Sequence, residues 1–377
     1  MSQLKDIAII GAGVAGLALA IFARKQGITV TIYERNQEIS TIGAGITLWP
    51  NAIFVIKQLG VLATIEELSG KPEFIRQFDQ FFTMQGELDI KEINEHCQLP
   101  SLTILRRDLM KVLAERANAL GAEFKFDHQI EQHDIDGLMQ THDLVIGCDG
   151  RMKSASRDKL FENKPLPVYQ GFINIIGISQ LANEQLDHAI EDYRGQQQRF
   201  GIVPIKSGLC YWAAAWPASL DKKRPVDDWY HEMHQRFQHW PNQVKQVLSS
   251  YNINSLNRIF VHDIDPLPYW HKSNLIVIGD AAHAPLPTSG QGACQALEDA
   301  WHLMQTLTTD ALLDDQLTSF YQQRIAKVTA AQMAGRSVAK HIFSTTEQPS
   351  VSFSNISAEQ LSSLWMQGLV SKPEVNR

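Results

Sequence analysis

A short apolar run, Ile7–Ile10, breaks directly into Gly11-Ala12-Gly13-Val14-Ala15-Gly16 and then into the helix-forming stretch Leu17–Arg24. Few sequence features restrict a fold as tightly. Gly11 permits a sharp turn at the end of a buried strand. Gly13 lets a ligand approach the backbone, and Gly16 lets the following helix pack closely on the strand. The β-branched run Thr29–Tyr33 follows and ends at Glu34, 18 residues after Gly16. Strand, glycine turn, helix and strand make a βαβ unit of about 30 residues. The helix N-terminus offers N–H groups and the positive end of its dipole to phosphates. An acid ending the second strand accepts hydrogen bonds from ribose hydroxyls. The motif predicts a bound dinucleotide without choosing between a nicotinamide and a flavin.

With 377 residues the chain is long enough for two domains at about 150 residues each. Residues 51–69 and 107–120 read as helices, and Asp143–Gly147 as a buried strand. Near residue 160 the character changes. Residues 168–179 and 199–216 are aromatic and β-branched, with Lys206-Ser207-Gly208 as a turn between strands. Five of the eight tryptophans lie between Trp212 and Trp270, so this region predicts a mostly antiparallel sheet with an aromatic-rich face. Residues 225–250 read as helical. The buried-strand pattern returns at Asn274–Ile278, followed by helices over 290–308 and 314–343. The expectation is an α/β fold: a discontinuous Rossmann-type nucleotide domain (1–160 and 270–310) interleaved with an antiparallel substrate domain (161–269). A C-terminal helix and Ser-rich tail (311–377) complete it, with a short helix around Trp365.

A net charge of -7 argues against nucleic-acid binding. Cys97, Cys148, Cys210 and Cys294 are too scattered for a CxxC or zinc pattern and read as reduced thiols of a cytoplasmic protein. The start, Met-Ser-Gln-Leu-Lys-Asp, lacks the apolar region of a signal peptide, and no apolar run reaches ~18 residues, so no membrane insertion is expected. His231, His234 and His239 share a helix with no acid or cysteine to complete a metal site, and no metal is expected.

Two further motifs matter. Cys148-Asp149-Gly150 follows the strand at Asp143–Gly147; alone it is a turn. In the stretch 275–300 a buried strand ends in Gly279-Asp280, and a Pro- and Gly-rich loop leads to a helix opening near Gly290–Gly292. That arrangement places a carboxylate and a second helix N-terminus at a strand's C-terminal edge. In order and separation, the three motifs resemble the FAD-dependent aromatic hydroxylases of the para-hydroxybenzoate and salicylate hydroxylase type, the class A flavoprotein monooxygenases. The resemblance covers roughly residues 5–345. Its most specific part is Asp280 with His283, Pro287 and Gly290-Gln291-Gly292.

The resemblance implies FAD as cofactor. Gly11, Gly13, Ala15 and Gly16 would line its pyrophosphate, with Glu34 at the adenosine ribose. Asp280 would stand at the flavin-side ribose and pyrophosphate. Arg106, Arg35, Asp149 and the segment Gly43–Asn51, Gly45 included, match cofactor-contacting positions. Pro287, Gly290, Gly292 and Ala293 would border the flavin, whose N1/O2 edge would face a helix N-terminus that favours the anionic reduced form. One departure stands out. Three residues separate Gly150 from Ser154, one more than the family pattern, before Arg157.

In that family NAD(P)H reduces FAD, O2 adds to the flavin, and the terminal hydroperoxide oxygen passes to an electron-rich ring. The resemblance thus implies a monooxygenase with NADH or NADPH as a transient reductant; there is no second GxGxxG for a separate nicotinamide domain. O2 and a small phenolic or N-heteroaromatic compound would be its substrates. Within the family, Gly171–Asn174 and Asn257–Pro266 are similar to the FAD-dependent urate hydroxylases. Arg199 and Tyr211 fall at substrate-facing positions of that group, whereas Thr288 stands where it has an acid, which argues against urate itself. Arg199, Tyr211 and His283 are the candidate catalytic residues. Their plainer readings are a surface ion pair, a packed core aromatic and a structural histidine. Two other functions stay open: inactivation of a polycyclic drug such as a tetracycline, and a non-catalytic FAD-binding regulatory module. The protein is expected to be a monomer or homodimer.

Overall fold

The computed structural model describes residues 4–40, 43–182, 188–344 and 357–369. Two large sheets organise them, beside a two-stranded antiparallel sheet of Gly45–Leu48 and Leu102–Leu105. The first has six strands in the order His271–Lys272, Leu275–Val277, Leu144–Gly147, Asp6–Ile10, Thr29–Tyr33, Glu123–Lys125. All its pairings are parallel except that of the outermost His271–Lys272. Parallel strands are covered on both faces, which is why they read as unbroken apolar runs. One covering helix, Val14–Lys25, is buried over Val14–Ala23 because Arg106–Ala119 and Gly292–Leu307 pack against it in turn. The register aligns Ile10 with Tyr33 and with Gly147, and Gly147 with Val277. All three motifs therefore leave the sheet at one edge.

The second sheet has seven strands in the order Asn257–Asp263, Val168–Gln180, Leu209–Pro217, Gln198–Pro204, Ala189–Gly195, Phe74–Asp79, Met84–Asp89. Its last two strands come from the block 1–160 that the sequence reading assigned wholly to the nucleotide domain. They instead extend the second sheet, with Phe74–Asp79 pairing in parallel with Ala189–Gly195. The polar edge strand Met84-Gln-Gly-Glu-Leu-Asp lacks the β-branched signature that marks its neighbours.

Side chains alternate across this sheet with period two. One face carries Ile173, Ile175, Tyr193, Phe200, Trp212 and Trp216, all buried against Trp229, Met233, Phe237 and Val247 of the helices Val226–Phe237 and Asn242–Ser249. The other face carries Ile176, Ile178, Arg199, Gly201, Tyr211 and Ala213, and these are only half-buried. The aromatic-rich face is thus a core, and the opposite face is left partly open.

Two expected helices are interrupted. Residues 51–69 form Pro50–Leu59 and Leu62–Leu68, divided where Gly60 adopts φ 79. Residues 225–250 are divided at Pro241, which cannot continue a helix. Leu313–Phe343 is continuous over 31 residues and joins the two halves. Its Leu317, Phe320 and Val328 belong to the first core, while Ala339 and Phe343 pack with Phe172, Val261 and Leu286. Of the expected tail, 345–356 and 370–377 lie outside the described residues. The helix around Trp365 is Ala358–Met366, opened by a capping box of Ser357 and Gln360. No helix among the described residues is long and apolar enough to cross a membrane.

Candidate active site

The glycine turn is built as its spacing demands. Gly11 has φ +102, and a Cβ there would stand 2.5 Å from Cys148 O; one on Gly16 would stand 2.2 Å from Gly11 O. A Cβ on Gly13 would meet nothing closer than Cys148 O at 4.0 Å. The space over Gly13 is therefore open, while the other two glycines are locked into the strand–helix contact. The helix that follows has no side-chain cap and no acid in its first turn. The same holds for Gly292–Leu307, whose first residues Gly292 and Ala293 are half-exposed. Both helices leave their N-terminal N–H groups available to an acceptor. Gly279, with φ +60, is wedged between them: a Cβ there would lie 3.0 Å from Ala15 Cβ and 3.6 Å from Ala296 Cβ. Asp280 follows on the exposed side.

Glu34 is buried at the end of its strand. Its Oε2 accepts from the Ala12 N–H (3.0 Å) and its Oε1 from the N–H and side-chain amide of Asn36 (2.9 and 2.6 Å). A carboxylate has about four acceptor positions, so about one remains for a ligand. Arg35 beside it is exposed. Arg106 opens the helix Arg106–Ala119, and the Gly43 backbone lies against its side chain. Burial pulls the Arg106 pKa down, an effect the Asp280 carboxylate opposes. Among the described residues Arg106 and Asp280 make no direct ion pair, so the two opposite charges stand near each other without contact.

Asp149, expected at the cofactor, is engaged elsewhere. Its Oδ1 accepts from Ser154 Oγ (2.6 Å), and its Oδ2 from the Ser156 N–H and Oγ (3.0 and 3.1 Å). Burial raises its pKa and these hydrogen bonds lower it. The carboxylate knits its own loop together, and the extra residue between Gly150 and Ser154 is absorbed in the turn. Arg157, fully buried, then donates to Arg151 O (2.8 Å), Pro165 O (3.2 Å) and Ala281 O (3.0 Å). It ties the Asp149 loop to the Asp280 segment.

His283 also departs from expectation. It is 2% exposed, its Nε2 lies 2.5 Å from Asp299 Oδ2, and its ring packs against Trp270. It belongs to a buried polar cluster rather than to the open site, so it is corrected from catalytic candidate to structural histidine. Arg324 donates to Asp299 Oδ1 (2.8 Å), Glu298 Oε2 (2.7 Å) and Gln295 Oε1 (2.6 Å). Asp299 Oδ2 also accepts from the Gly279 N–H (2.8 Å), which fixes the backbone before Asp280. Burial alone would raise the Asp299 pKa, but His283 and Arg324 overcome it and hold it at about 2. The acidic pair Glu298-Asp299 on a largely buried helix was the available sequence signal. Its cationic partners Arg324 and Lys327, 25 residues and more downstream, could not be read.

Facing this edge is the half-buried side of the seven-stranded sheet. Gly201 and Ala213 are directly paired, as are Arg199 and Ala215, so a small-residue floor lies between larger flanks. On one flank Arg194 and Arg199, opposite each other on adjacent strands, share Asp192. Arg199 Nε donates to Asp192 Oδ1 (2.5 Å), and Arg194 donates to Oδ2 through Nε (2.9 Å) and Nη2 (2.8 Å). Burial would raise the Asp192 pKa, but the two guanidiniums bring it below the usual range. The Nη groups of Arg199 donate to no described residue. On the other flank Tyr211 Oη lies 3.0 Å from Thr47 Oγ1. Its ring covers Gly45, where a Cβ would stand 2.0 Å from Tyr211 Cδ1. Burial pushes the Tyr211 hydroxyl up to about 12, against the Thr47 hydrogen bond, so it stays protonated at neutral pH. Asp192 went unrecognised in the sequence because an acid in a strand is commonplace, and Thr47 enters there only within the cofactor-matching segment Gly43–Asn51, with no sign of its pairing with Tyr211.

The loop Pro287–Gly290 closes the arrangement. Pro287 and Gly290 are exposed, Thr288 Oγ1 donates to Gly335 O (2.6 Å), and Trp49 Nε1 donates to Gly290 O (3.0 Å). Thr288 thus anchors the loop to the long helix rather than presenting an acid.

Comparison with known proteins agrees with this geometry. Residues 5–334 match the family described as FAD binding domain. An aurachin C monooxygenase/isomerase of Stigmatella aurantiaca is 30% identical over 336 residues, covering 85% of each chain. A FAD-dependent urate hydroxylase of Klebsiella oxytoca is 28% identical over 317 residues, 78% of each. The crystal structure of Klebsiella pneumoniae HpxO complexed with FAD and uric acid has the same fold, with a TM-score of 0.80, 23% identity, and coverage of 90% of this chain and 89% of that one. The chain belongs to the FAD-binding-domain family and is a flavin-dependent aromatic hydroxylase, a monooxygenase of aromatic or heteroaromatic compounds with FAD as its cofactor.

Proposed function

We propose that this enzyme hydroxylates a small, planar phenolic or N-heteroaromatic ring that binds in its ionised form, with NADH or NADPH as transient reductant and O2 as co-substrate. The observation that carries the reading is the half-buried floor of Gly201 and Ala213, flanked by Arg199 on one side and Tyr211 on the other. Small residues leave room for a flat ring, and the polar groups stand at its rim.

The residues present fit FAD. The open space over Gly13 and the uncapped helix Val14–Lys25 suit a pyrophosphate, and the spare acceptor position of Glu34 suits a ribose hydroxyl. Arg106 and Asp280 would hold the flavin-side ribose and phosphate. Gly292 and Ala293 would present N–H groups to the flavin. When bound, FAD supplies the redox chemistry that activates oxygen.

The chain's own contribution is placement and charge. Two arginines sharing one carboxylate leave Asp192, Arg194 and Arg199 with a net charge of +1. A cation beside a phenol or lactam lowers its pKa and favours the deprotonated, more electron-rich ring. The free Nη groups of Arg199 would orient that anion. Tyr211, neutral and shared with Thr47, would hydrogen-bond a ring oxygen or nitrogen. The reading is tested by incubating FAD-loaded protein with NADH or NADPH, oxygen and a panel of ring compounds, and analysing products by mass spectrometry. A product heavier by one oxygen supports it. Substrate-stimulated flavin reduction that yields only hydrogen peroxide across the panel overturns it.

A further inference from the structure

The helix Ala358–Met366 lies more than 60 residues along the chain from the turn at Gly290–Gly292, yet two lines of contact lead from it to that turn. The helix packs on Ile90–Cys97 and Pro50–Leu59. Its Trp365 lies against Trp49, with ring centroids 4.9 Å apart and planes at 32°. Trp49 Nε1 is the donor to Gly290 O. The second line starts at Lys327, which is buried in the long helix. Its Nζ donates to Trp365 O (2.6 Å) and Gln367 O (3.1 Å), carbonyls at the C-terminal, negative end of the short helix. The same Nζ donates to Glu298 Oε2 (2.8 Å). Asn51 Nδ2 bridges onward, to Glu298 Oε1 (2.7 Å) and to Gln291 Oε1 (3.0 Å). The two lines end on consecutive residues, Gly290 and Gln291.

We propose that the helix Ala358–Met366 is a strap that sets the Gly290–Gly292 turn in its flavin-binding conformation, with Trp365 and Lys327 as positioning residues. The proposal rests on reading that turn as a flavin contact. The physical reason is conformational entropy. Gly290 is left-handed, and each residue with an unfixed backbone loses freedom when a ligand orders it. With Trp365 docked, Trp49 has a ring on one side and its N–H held by Gly290 O, so the turn is ordered before FAD arrives. With the strap undocked, FAD binding must order it.

The test compares Trp365→Ala, Trp365→Leu, Trp365→Phe and Gly290→Ala in the full chain. Each apoprotein is titrated with FAD by flavin fluorescence, the absorbance spectrum of the bound flavin is recorded, and the thermal midpoint of the apoprotein is measured. Aromatic pairs are worth up to about 1.5 kcal/mol beyond burial, so Trp365→Ala is expected to weaken FAD binding about ten-fold and to shift the flavin band. Trp365→Leu does the same while keeping more apolar volume than alanine, and is the variant read if the alanine variant does not fold. Trp365→Phe restores affinity to within about two-fold of the parent. If Gly290→Ala weakens FAD but the Trp365 variants do not, the strap is overturned and the turn remains a flavin contact. If none of them changes FAD binding, the reading of the turn falls and the strap with it. Loss of affinity that Phe does not restore marks a general stability effect and also overturns the proposal.

Discussion

Replacing Arg324 with methionine removes the side chain that, among the described residues, touches both Glu298 and Asp299. The guanidinium is 1% exposed and both carboxylates are fully buried. Removing one partner from a buried ion pair costs about 3–5 kcal/mol, because a charge is left uncompensated. Here the lower end applies, since Asp299 keeps His283 and the Gly279 N–H, and Glu298 keeps Asn51 and Lys327. Unfolding entropy is about 2.1 cal/mol/K per residue, or roughly 0.8 kcal/mol/K for this chain, so a loss of about 3 kcal/mol lowers the melting temperature by about 4 °C. Lys111→Met is the matched control. Lys111 and Glu115 are largely exposed and 3.9 Å apart, and such a pair is worth about 0.3–0.5 kcal/mol. Differential scanning calorimetry of the apoproteins makes the comparison. Because Asp299 also holds Gly279, FAD affinity should fall in Arg324→Met and not in Lys111→Met. A melting temperature of Arg324→Met within 1 °C of the control's, a margin set by the roughly 0.8 kcal/mol/K above, refutes the assignment of the cluster as a stabilising unit.

Other expectations follow from the same geometry. The folded-state pKa of Asp299 is depressed to about 2, so its contribution is full above the unfolded value near 4 and is lost as pH falls through 2. Urea stability of the parent should therefore drop by about 2 kcal/mol more than that of Asp299→Asn over that window; parallel profiles would contradict this. Arg199→Gln should raise KM for an ionised ring about ten-fold or more while leaving the flavin spectrum unchanged, given about 1.5–3 kcal/mol for a hydrogen bond to a charged group. An unaltered KM in steady-state kinetics would remove Arg199 from the substrate site. Gly16→Ala brings a Cβ to 2.2 Å from the Gly11 carbonyl. A backbone atom cannot step aside, so the variant should cost about 1–3 kcal/mol and purify with less FAD, read from the 450/280 nm absorbance ratio; a parental ratio would show that the contact relaxes freely.

Much of the nucleotide half was legible because its signals are local. Gly11, Gly13 and Gly16 sit within six residues, and Ile7–Ile10, Thr29–Tyr33 and Leu275–Val277 are apolar runs that a doubly covered parallel sheet requires. The period-two alternation of 199–216 identified strands but left open which face was core. That depends on the helices Val226–Phe237 and Asn242–Ser249, whose docking partner no local pattern names. Phe74–Asp79 escaped assignment to the second sheet because pairing with Ala189–Gly195 is a contact across 115 residues. The candidate site shows the same division. Asp280 stands out by its strand and loop. The engagement of Asp149 by Ser154 and Ser156, and the burial of His283 on Asp299, are properties of partners rather than of the residues themselves.

The opposite characters of the two sides of the seven-stranded sheet have an evolutionary consequence. Trp212, Trp216 and Phe200 hold the sheet to its helices from behind, while Gly201, Ala213 and Ile176 shape what lies in front. Exchanges in front open no void behind, so on the proposed substrate floor catalytic novelty and foldability would be drawn from separate sets of positions. If the proposed floor holds the substrate, a lineage built on this sheet would change its substrate one floor residue at a time, and a directed library at those three positions would retain folded members in high proportion.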